Sequence, residues 1–312
     1  IIIPCYNVAE YLPVTLDSIL SRQNLSSLEI ILIDDGSPDA CGKICEEYAE
    51  NRSNWIVVHQ QNAGQAAARN LGLSMAKGDY ICFIDSDDSV HSNYLQKLYH
   101  SLIETNSDLA ICGYQRISES SKITKLEENE LVKLNENELW EEVFCHLNNA
   151  VWNKLYRKDF LNGLHFPCGL YHGEDLMFNL RYISRCKNAV WVQSKLYYYW
   201  EREGSVTKSV FSERKLMEID SKDAAREFIK NHHPNLLSVA DKYCFRARMN
   251  IIRSIYKNFK ENDYSNQIYE YSSYVKENYP KVSALIELKE KVEYFLFVKV
   301  RWLYLCIIKM MC

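Results

Sequence analysis

Residues 85–88 read DSDD, directly after the apolar run YICFI. Three carboxylates within four positions at a strand end repel one another, and their charge must be met by solvent, a basic neighbour or a metal ion. The Asp-x-Asp alternation predicts that Asp85 and Asp87 share one side of an extended segment while Asp88 points elsewhere. Two carboxylates on one side suit Mg2+ or Mn2+, which bind through one or two carboxylates plus substrate phosphates. A cation there would act as a Lewis acid on a diphosphate leaving group. Taken alone, an acidic helix start accounts for DSDDSVHSNY nearly as well.

Other runs end in similar chemistry. IIIP is followed by CYN, EIILID by DGSPD, and WIVVH by QQNAGQAAARN. In IDDGSPD, Asp35 is placed to accept a hydrogen bond from a base imide N–H such as uracil offers, Gly36 permits a tight turn, and Ser37 can cap the next helix. A plain turn explains the same residues. In NAGQAAARN, the small residues Gly64, Ala66, Ala67 and Ala68 suit a helix packed close to a sheet, with Arg69 one turn in, able to neutralise Asp35 or a nucleotide. A surface arginine is the simpler alternative. Neither G-x-G-x-x-G nor G-x-x-x-x-G-K-[ST] is present, which argues against a dinucleotide cofactor or a P-loop.

Two later segments add to this set. In GLYHGEDLMF, Glu174 and Asp175 sit at an expected helix start, where negative charge is favourable in any protein. A carboxylate there can also take the proton from an attacking hydroxyl, with His172 an alternative base or a third metal ligand. In YYYWEREGSVTK, Arg202 and Ser205 follow an aromatic run and offer a guanidinium and a hydroxyl to a diphosphate, while Tyr197 to Trp200 read as core and sugar-facing wall.

The elements that must position these residues are legible from periodicity. IIIP, EIILID, WIVVH, YICFID and DLAICGY are short runs rich in Ile and Val, separated by helix-length segments, as expected for strands of a largely parallel, doubly covered α/β sheet. Leu12, Leu16, Ile19 and Leu20 fall on one helical face. Residues 117–137 turn polar and acidic and read as a surface loop or lid. Residues 139–200 return to mixed structure: a helix near LWEEVFCHL, an extended WNKLY, a helix through DLMFNLRYISR, and strands AVWV and LYYYW. In open α/β sheets ligands bind outside the carboxyl ends of the strands, so these polar strand ends define one functional rim.

After about Ser209 the pattern is helical, with Pro234 and Pro280 expected to end or start helices. The final stretch VEYFLFVKVRWLYLCIIKMMC is apolar but carries Lys299, Arg301 and Lys309, too many charges for a span of about 20 residues. A helix lying in a membrane interface is expected there, with a docked terminal helix or a dimer contact as the alternative.

The chain has 312 residues, 47% of them hydrophobic, with a formal net charge of −4. That length allows one substantial domain and a smaller appendage, and the charge supplies no basic field for nucleic acid. The 11 Cys lack CxxC pairs or zinc-site spacings, so most are expected to be buried thiols in a reducing compartment. The chain opens inside an expected strand, so a few residues before Ile1 are expected to be missing.

The motifs IIIPCYNVAEYL, IILIDDGSPD, NAGQAAARNLGLSMAKGDYICFIDSDD, WNKLY, GLYHGEDLMF and YYYWEREGS, in this order over about residues 1–208, resemble the family 2 glycosyltransferases of GT-A fold that build bacterial surface polysaccharides. The resemblance implies a GT-A nucleotide-sugar-binding and catalytic domain at 1–208 and a helical extension at 209–312 for acceptor, membrane-surface or dimer contacts. It implies inverting hexosyl transfer from a UDP-sugar to a glycan or lipid-linked glycan, with Mn2+ or Mg2+ at the Asp-x-Asp motif. Carried over position by position, Pro4, Tyr6 and Asp35 would hold the uracil, and Glu10 and Arg69 would add nucleotide contacts. Asp85 and Asp87 would serve metal and ribose-diphosphate, Asp175 would be the base with Glu174 orienting it or the acceptor, and Arg202 and Ser205 would meet the diphosphate. A cytoplasmic protein, peripheral on the inner face of the membrane, is the expected setting. The competing reading is a catalytically silent partner that binds nucleotide or glycan beside another transferase. A sugar nucleotidyltransferase is disfavoured because its Gly-rich basic N-terminal loop is absent.

Overall fold

A computed structural model describes residues 1–20, 28–118, 130–146, 148–170, 173–201, 216–258 and 260–310. The N-terminal half alternates as expected: β1 (Ile2–Cys5), α1 (Leu12–Leu20), β2 (Ile30–Asp34), α2 (Cys41–Ala49), β3 (Trp55–His59), α3 (Gln65–Met75), β4 (Tyr80–Cys82), β5 (Ser89–Val90), α4 (Tyr94–Thr105) and β6 (Leu109–Ile117). Next come β7 (Leu131–Asn135), α5 (Glu136–Trp140), β8 (Lys154–Arg157), α6 (Glu174–Ile183) and β9 (Asn188–Trp200). The remainder is helical: α7 (Met217–His232), α8 (Leu237–Lys257), α9 (Ser265–Val282), α10 (Leu288–Lys299) and α11 (Arg301–Met310).

Strands β1, β2 and β3 pair in parallel in that order, and every residue of β1 and β2 is buried, the signature of strands covered on both faces. Ile2 bridges Phe83, and the Ile84 amide donates to the Ile2 carbonyl at 3.2 Å, which places the end of β4 beside β1. Beyond it the second sheet runs β4-β8-β6-β9-β5, with β7 on β9. Here the pairing is mixed, parallel only between β6 and β9.

Several local expectations are refined. AVWV and LYYYW belong to one strand, β9, and the interruption between them is a register shift against Gly113 of β6. A Cβ on Gly113 would lie 2.9 Å from the Gln193 carbonyl, so the two backbones approach more closely than a side chain permits. Part of the polar excursion at 117–137 is strand β7, and residues 119–129 lie outside the described residues. On α1 the buried face is Leu12, Thr15, Leu16 and Ile19, with Leu20 turned outward. The close approach of α3 to the sheet is made at Ala68 and Gly72, where a Cβ would collide with Ile2, whereas Gly64 is exposed at the helix start. Pro280 lies inside α9, just before its last residue Val282, rather than at a boundary. Seven of the ten described cysteines are buried, and all ten are free thiols.

The chain separates into two compact units. One comprises Ile1–Cys168 with Phe178–Ser205, the other Gly169–Met177 with Val206–Cys312. The helical unit has its own core, in which Ile252 and Ile255 of α8 join Val275 of α9, Phe297 of α10 and Tyr304 and Ile308 of α11. Ion pairs Arg246–Glu290 at 2.6 Å and Arg248–Asp223 at 2.6 Å fasten its helices. Among the described residues, no helix is long and apolar enough to cross a membrane.

Candidate active site

At the end of β2, two adjacent aspartates do different work. Asp34 turns back, accepting from the Ser37 amide at 3.1 Å and pairing with His59 Nδ1 at 2.8 Å. Burial opposes its ionisation, but the hydrogen bonds from Ser37 and His59 outweigh it and hold the carboxyl below its ordinary value. His59 is pushed up in return, by Asp34 first and by Glu46, which meets its Nε2 at 3.0 Å. Asp35 is buried and accepts from Gln60 Nε2 at 2.6 Å, from the Ala63 amide at 2.8 Å and from the Gly64 amide at 2.8 Å. It therefore shapes the loop leading into α3, and since a carboxylate has about four acceptor positions, it retains room for one further donor. Gly36 between these segments is required: its φ is +67°, and a Cβ would lie 2.8 Å from the Asn62 amide nitrogen. Ser37 does not cap α2. Its hydroxyl bridges toward the Cys5 carbonyl and the Asn7 amide, both at 3.4 Å, because the helix begins only at Cys41.

Beside this lies the end of β1, where Pro4 is buried and Tyr6 is 48% exposed, its ring available to a planar ligand. Glu10 is exposed in the turn before α1.

Arg69 is 1% exposed on α3 and donates to Asp85 Oδ1 at 2.8 Å. The first carboxylate of DSDD is thus one partner of this guanidinium. Gln65 reaches the same oxygen at 3.2 Å. Residues 85–88 form a turn closed by the Asp88 amide on the Asp85 carbonyl at 3.1 Å, rather than an extended segment. Within that turn Asp85 and Asp87 are half-buried and Asp88 is fully buried.

Asp88, a further possible site carboxylate of DSDD, is held within the fold. Its Oδ2 accepts from the Tyr197 hydroxyl at 2.8 Å and its Oδ1 from the Trp200 amide at 2.9 Å, so it ties the end of β9 to the turn. Burial pushes this carboxyl well above the ordinary range, with the charges of Asp85 and Asp87 adding to the rise. Two residues that sequence reasoning did not assign to this turn complete its support. Tyr197 also accepts from the Asp85 amide at 3.1 Å, and buried Thr15 places its Oγ1 2.9 Å from the Ser86 carbonyl and 2.6 Å from that of Asp88. The only sequence signal for Thr15 was a polar residue on the apolar face of α1.

Mn2+ or Mg2+ fits this strand end by donor chemistry. Asp85 and Asp87 are half-buried oxygen donors one residue apart in the same turn, the hard-donor chemistry these cations prefer. Among the described residues no cluster of three or more His, Cys, Asp or Glu could hold a metal by itself, so substrate phosphates would have to supply the remaining ligands.

Glu174 and Asp175 open α6 and lie in the second unit. The Gly173 amide donates to Glu174 Oε2 at 3.0 Å. Gly173 has φ +125°, and a Cβ there would lie 2.5 Å from that of Ser221, so the residue before the acidic pair must be glycine. Farther along α6, Asn179 donates to the Asn149 carbonyl at 2.7 Å and accepts from the Tyr156 hydroxyl at 2.8 Å. The loop it grips is held by Lys154, wholly buried, whose Nζ reaches the carbonyls of Asn148 at 2.8 Å and Ala150 at 2.6 Å. WNKLY thus secures a loop as well as forming a strand. His172, Arg202 and Ser205 lie outside the described residues.

A parallel sheet whose strand ends gather Tyr6, Asp35, Arg69, Asp85 and Asp87 is the frame of a GT-A nucleotide-sugar enzyme. Residues 1–174 match the model of glycosyl transferase family 2, more than half of the chain, and the chain belongs to that family. It is 34% identical over 219 residues to the glycosyltransferase GlyA of Streptococcus pneumoniae, covering 67% of this chain and 31% of GlyA. It is 29% identical over 211 residues to the minor teichoic acid biosynthesis protein GgaB of Bacillus subtilis, covering 65% of this chain and 23% of GgaB. The match thus spans a third or less of these relatives. The S. aureus TarS 1–349 structure superposes with a TM-score of 0.66 at 18% identity, over 99% of this chain and 88% of that one. Its complex with UDP-GlcNAc gives 0.60 at 21% identity, over 89% and 88%.

Proposed function

We propose that this glycosyltransferase moves a sugar from a UDP-sugar to a hydroxyl of a glycan or lipid-linked glycan in surface-polysaccharide synthesis, with inversion. The observation that carries the reading is the acidic turn after β4, whose first carboxylate, Asp85, pairs with the buried Arg69 of α3, in a chain of this family. The UDP-GlcNAc complex of TarS and the teichoic acid name of GgaB support the donor class and the polymer class.

In this reading Tyr6 stacks on the uracil, Pro4 walls it, and the acceptor position left on Asp35 takes the imide N–H. Glu10 lies at the ribose side. Asp85 and Asp87 would hold Mn2+ or Mg2+, which when bound supplies Lewis-acid neutralisation of the diphosphate. Arg69 contributes a positive charge fixed before substrate arrives, so no reorganisation is needed as charge develops on the leaving group. Asp175 takes the proton from the acceptor hydroxyl while that oxygen bonds to the anomeric carbon. The bond from that carbon to the diphosphate oxygen breaks, and UDP leaves with the electron pair. One displacement inverts the centre, and Glu174 orients the base or the acceptor. Arg202 and Ser205 are proposed diphosphate contacts.

Calorimetric titration of UDP in Mn2+ and then in EDTA tests this directly. Metal-dependent binding, weakened in Asp87→Ala, is expected. Binding of equal strength in both conditions would remove the metal role of DSDD, and no binding in either would remove UDP as the donor nucleotide.

A further inference from the structure

The last two helices of the second unit each bury one face and turn apolar residues outward on the other. Phe297, Tyr304 and Ile308 enter the helical core. On α10, Leu288, Val292 and Phe295 recur at i, i+4 and i+7 and are exposed, Phe295 by 55%. On α11, Trp302 and Met310 are 69% and 84% exposed. Large apolar side chains gathered in stripes on the surface mark a contact site.

Charge identifies what makes that contact. Residues 289–312 hold five Lys or Arg against two Glu. Both glutamates are drawn toward α8, Glu290 by Arg246 at 2.6 Å and Glu293 by Arg253 at 2.7 Å. Lys289 and Lys299 are exposed beside the apolar stripes, whereas Arg301 donates to the hydroxyl of buried Tyr256 and Lys309, also exposed, lies 3.7 Å from Glu261. The outward surface therefore combines aromatic and aliphatic side chains with cations; Glu287, exposed just before Leu288 and 3.8 Å from Arg246, is an acid at its edge.

We infer that α10 and α11 bind an anionic lipid surface, with Phe295 and Trp302 entering the boundary between headgroups and acyl chains and Lys289 and Lys299 meeting anionic headgroups. A second copy of the chain suits the same face poorly, because a two-fold contact sets each patch against itself and brings like charges together. The inference goes beyond the proposed sugar transfer and does not depend on it, since lipid binding requires no donor.

The test is co-sedimentation of the full chain with phosphatidylglycerol-containing vesicles and with pure phosphatidylcholine vesicles, alongside light scattering for oligomeric state. Binding to the anionic vesicles that weakens with added salt is expected. Phe295→Glu with Trp302→Glu should lower it at least about tenfold. Lys289→Glu with Lys299→Glu should lower it about 25-fold, near fivefold for each cation lost at the surface. Thermal melting of each variant checks that the fold persists; if either pair unfolds the unit, Lys289→Glu alone serves. Absence of binding to anionic vesicles, or equal binding to both vesicle types, would overturn the inference. So would a self-associated chain that binds no vesicles and dissociates in the Phe295→Glu, Trp302→Glu variant.

Discussion

Tyr197→Phe removes one oxygen and leaves the ring, which stacks on Trp152 with centroids 4.2 Å apart. The lost hydroxyl serves two partners, donating to buried Asp88 at 2.8 Å and accepting from the Asp85 amide at 3.1 Å. A hydrogen bond to a charged group contributes about 1.5–3 kcal/mol, and a buried amide left without a partner costs about 1–3 kcal/mol. Asp85 retains 18% side-chain exposure, so water can recover part of the second loss, and about 3 kcal/mol in all is expected. For a unit of this size that lowers the melting temperature by about 6–12 °C. The same hydroxyl joins both ends of the turn presenting Asp85 and Asp87, so UDP affinity in Mn2+ should fall as well. Thermal unfolding and calorimetry, run on the same preparation, measure both effects. A variant that melts within about 2 °C of the parent and binds UDP unchanged would show that the turn is set by its own backbone and that the Tyr197 bridge contributes nothing.

Asp175→Asn should lower turnover by about 10²–10⁴-fold, the usual contribution of a general base, with UDP affinity unchanged by calorimetry; normal turnover would transfer the role to Glu174 or His172. Asp88→Asn should flatten the pH dependence of stability. Burial, and then the charges of Asp85 and Asp87, raise this carboxyl when folded, so the folded chain holds the proton more firmly than the unfolded one. Stability must then fall as pH rises from about 4 through the raised value, and urea midpoints across that interval should show the slope in the parent and a shallower one in the variant. Lys154→Met removes the ammonium donor from the half-buried carbonyls of Asn148 and Ala150, of which Ala150 keeps the Asn179 amide at 3.4 Å, and should cost about 2 kcal/mol in denaturant unfolding.

What could be read from the sequence was whatever depends on near neighbours. The buried parallel strands announce themselves as unbroken Ile and Leu runs, and the polar residues after them mark the rim, so Tyr6, Asp35, Arg69, Asp85 and Asp87 were all found at strand ends or the adjoining helix start. What each carboxylate is bonded to was not legible, because those partners are distant in sequence. Tyr197 meets Asp88 across 109 positions, and Thr15 reaches the same turn across 73. Pro280 misled for a different reason. Proline forbids only a donor to the preceding turn and a helical residue before it is merely disfavoured, so a helix held by tertiary packing can accommodate it near its end.

The acidic strand end itself illustrates how a fold resolves repulsion that composition leaves open. Asp85 is met by Arg69, whose burial keeps the guanidinium in place whether or not a ligand is present. Asp88 is taken out of solvent, where two donors hold it and its affinity for a proton rises. If a divalent cation binds with UDP, Asp85 must give up its pairing with Arg69 to coordinate it, so Asp85→Asn should change Mn2+-dependent UDP binding little. Calorimetry of UDP with the Asp85→Asn variant in Mn2+ checks this: a large loss would mean that Arg69 releases Asp85 on binding, and the turn would then be a switch rather than a preformed site.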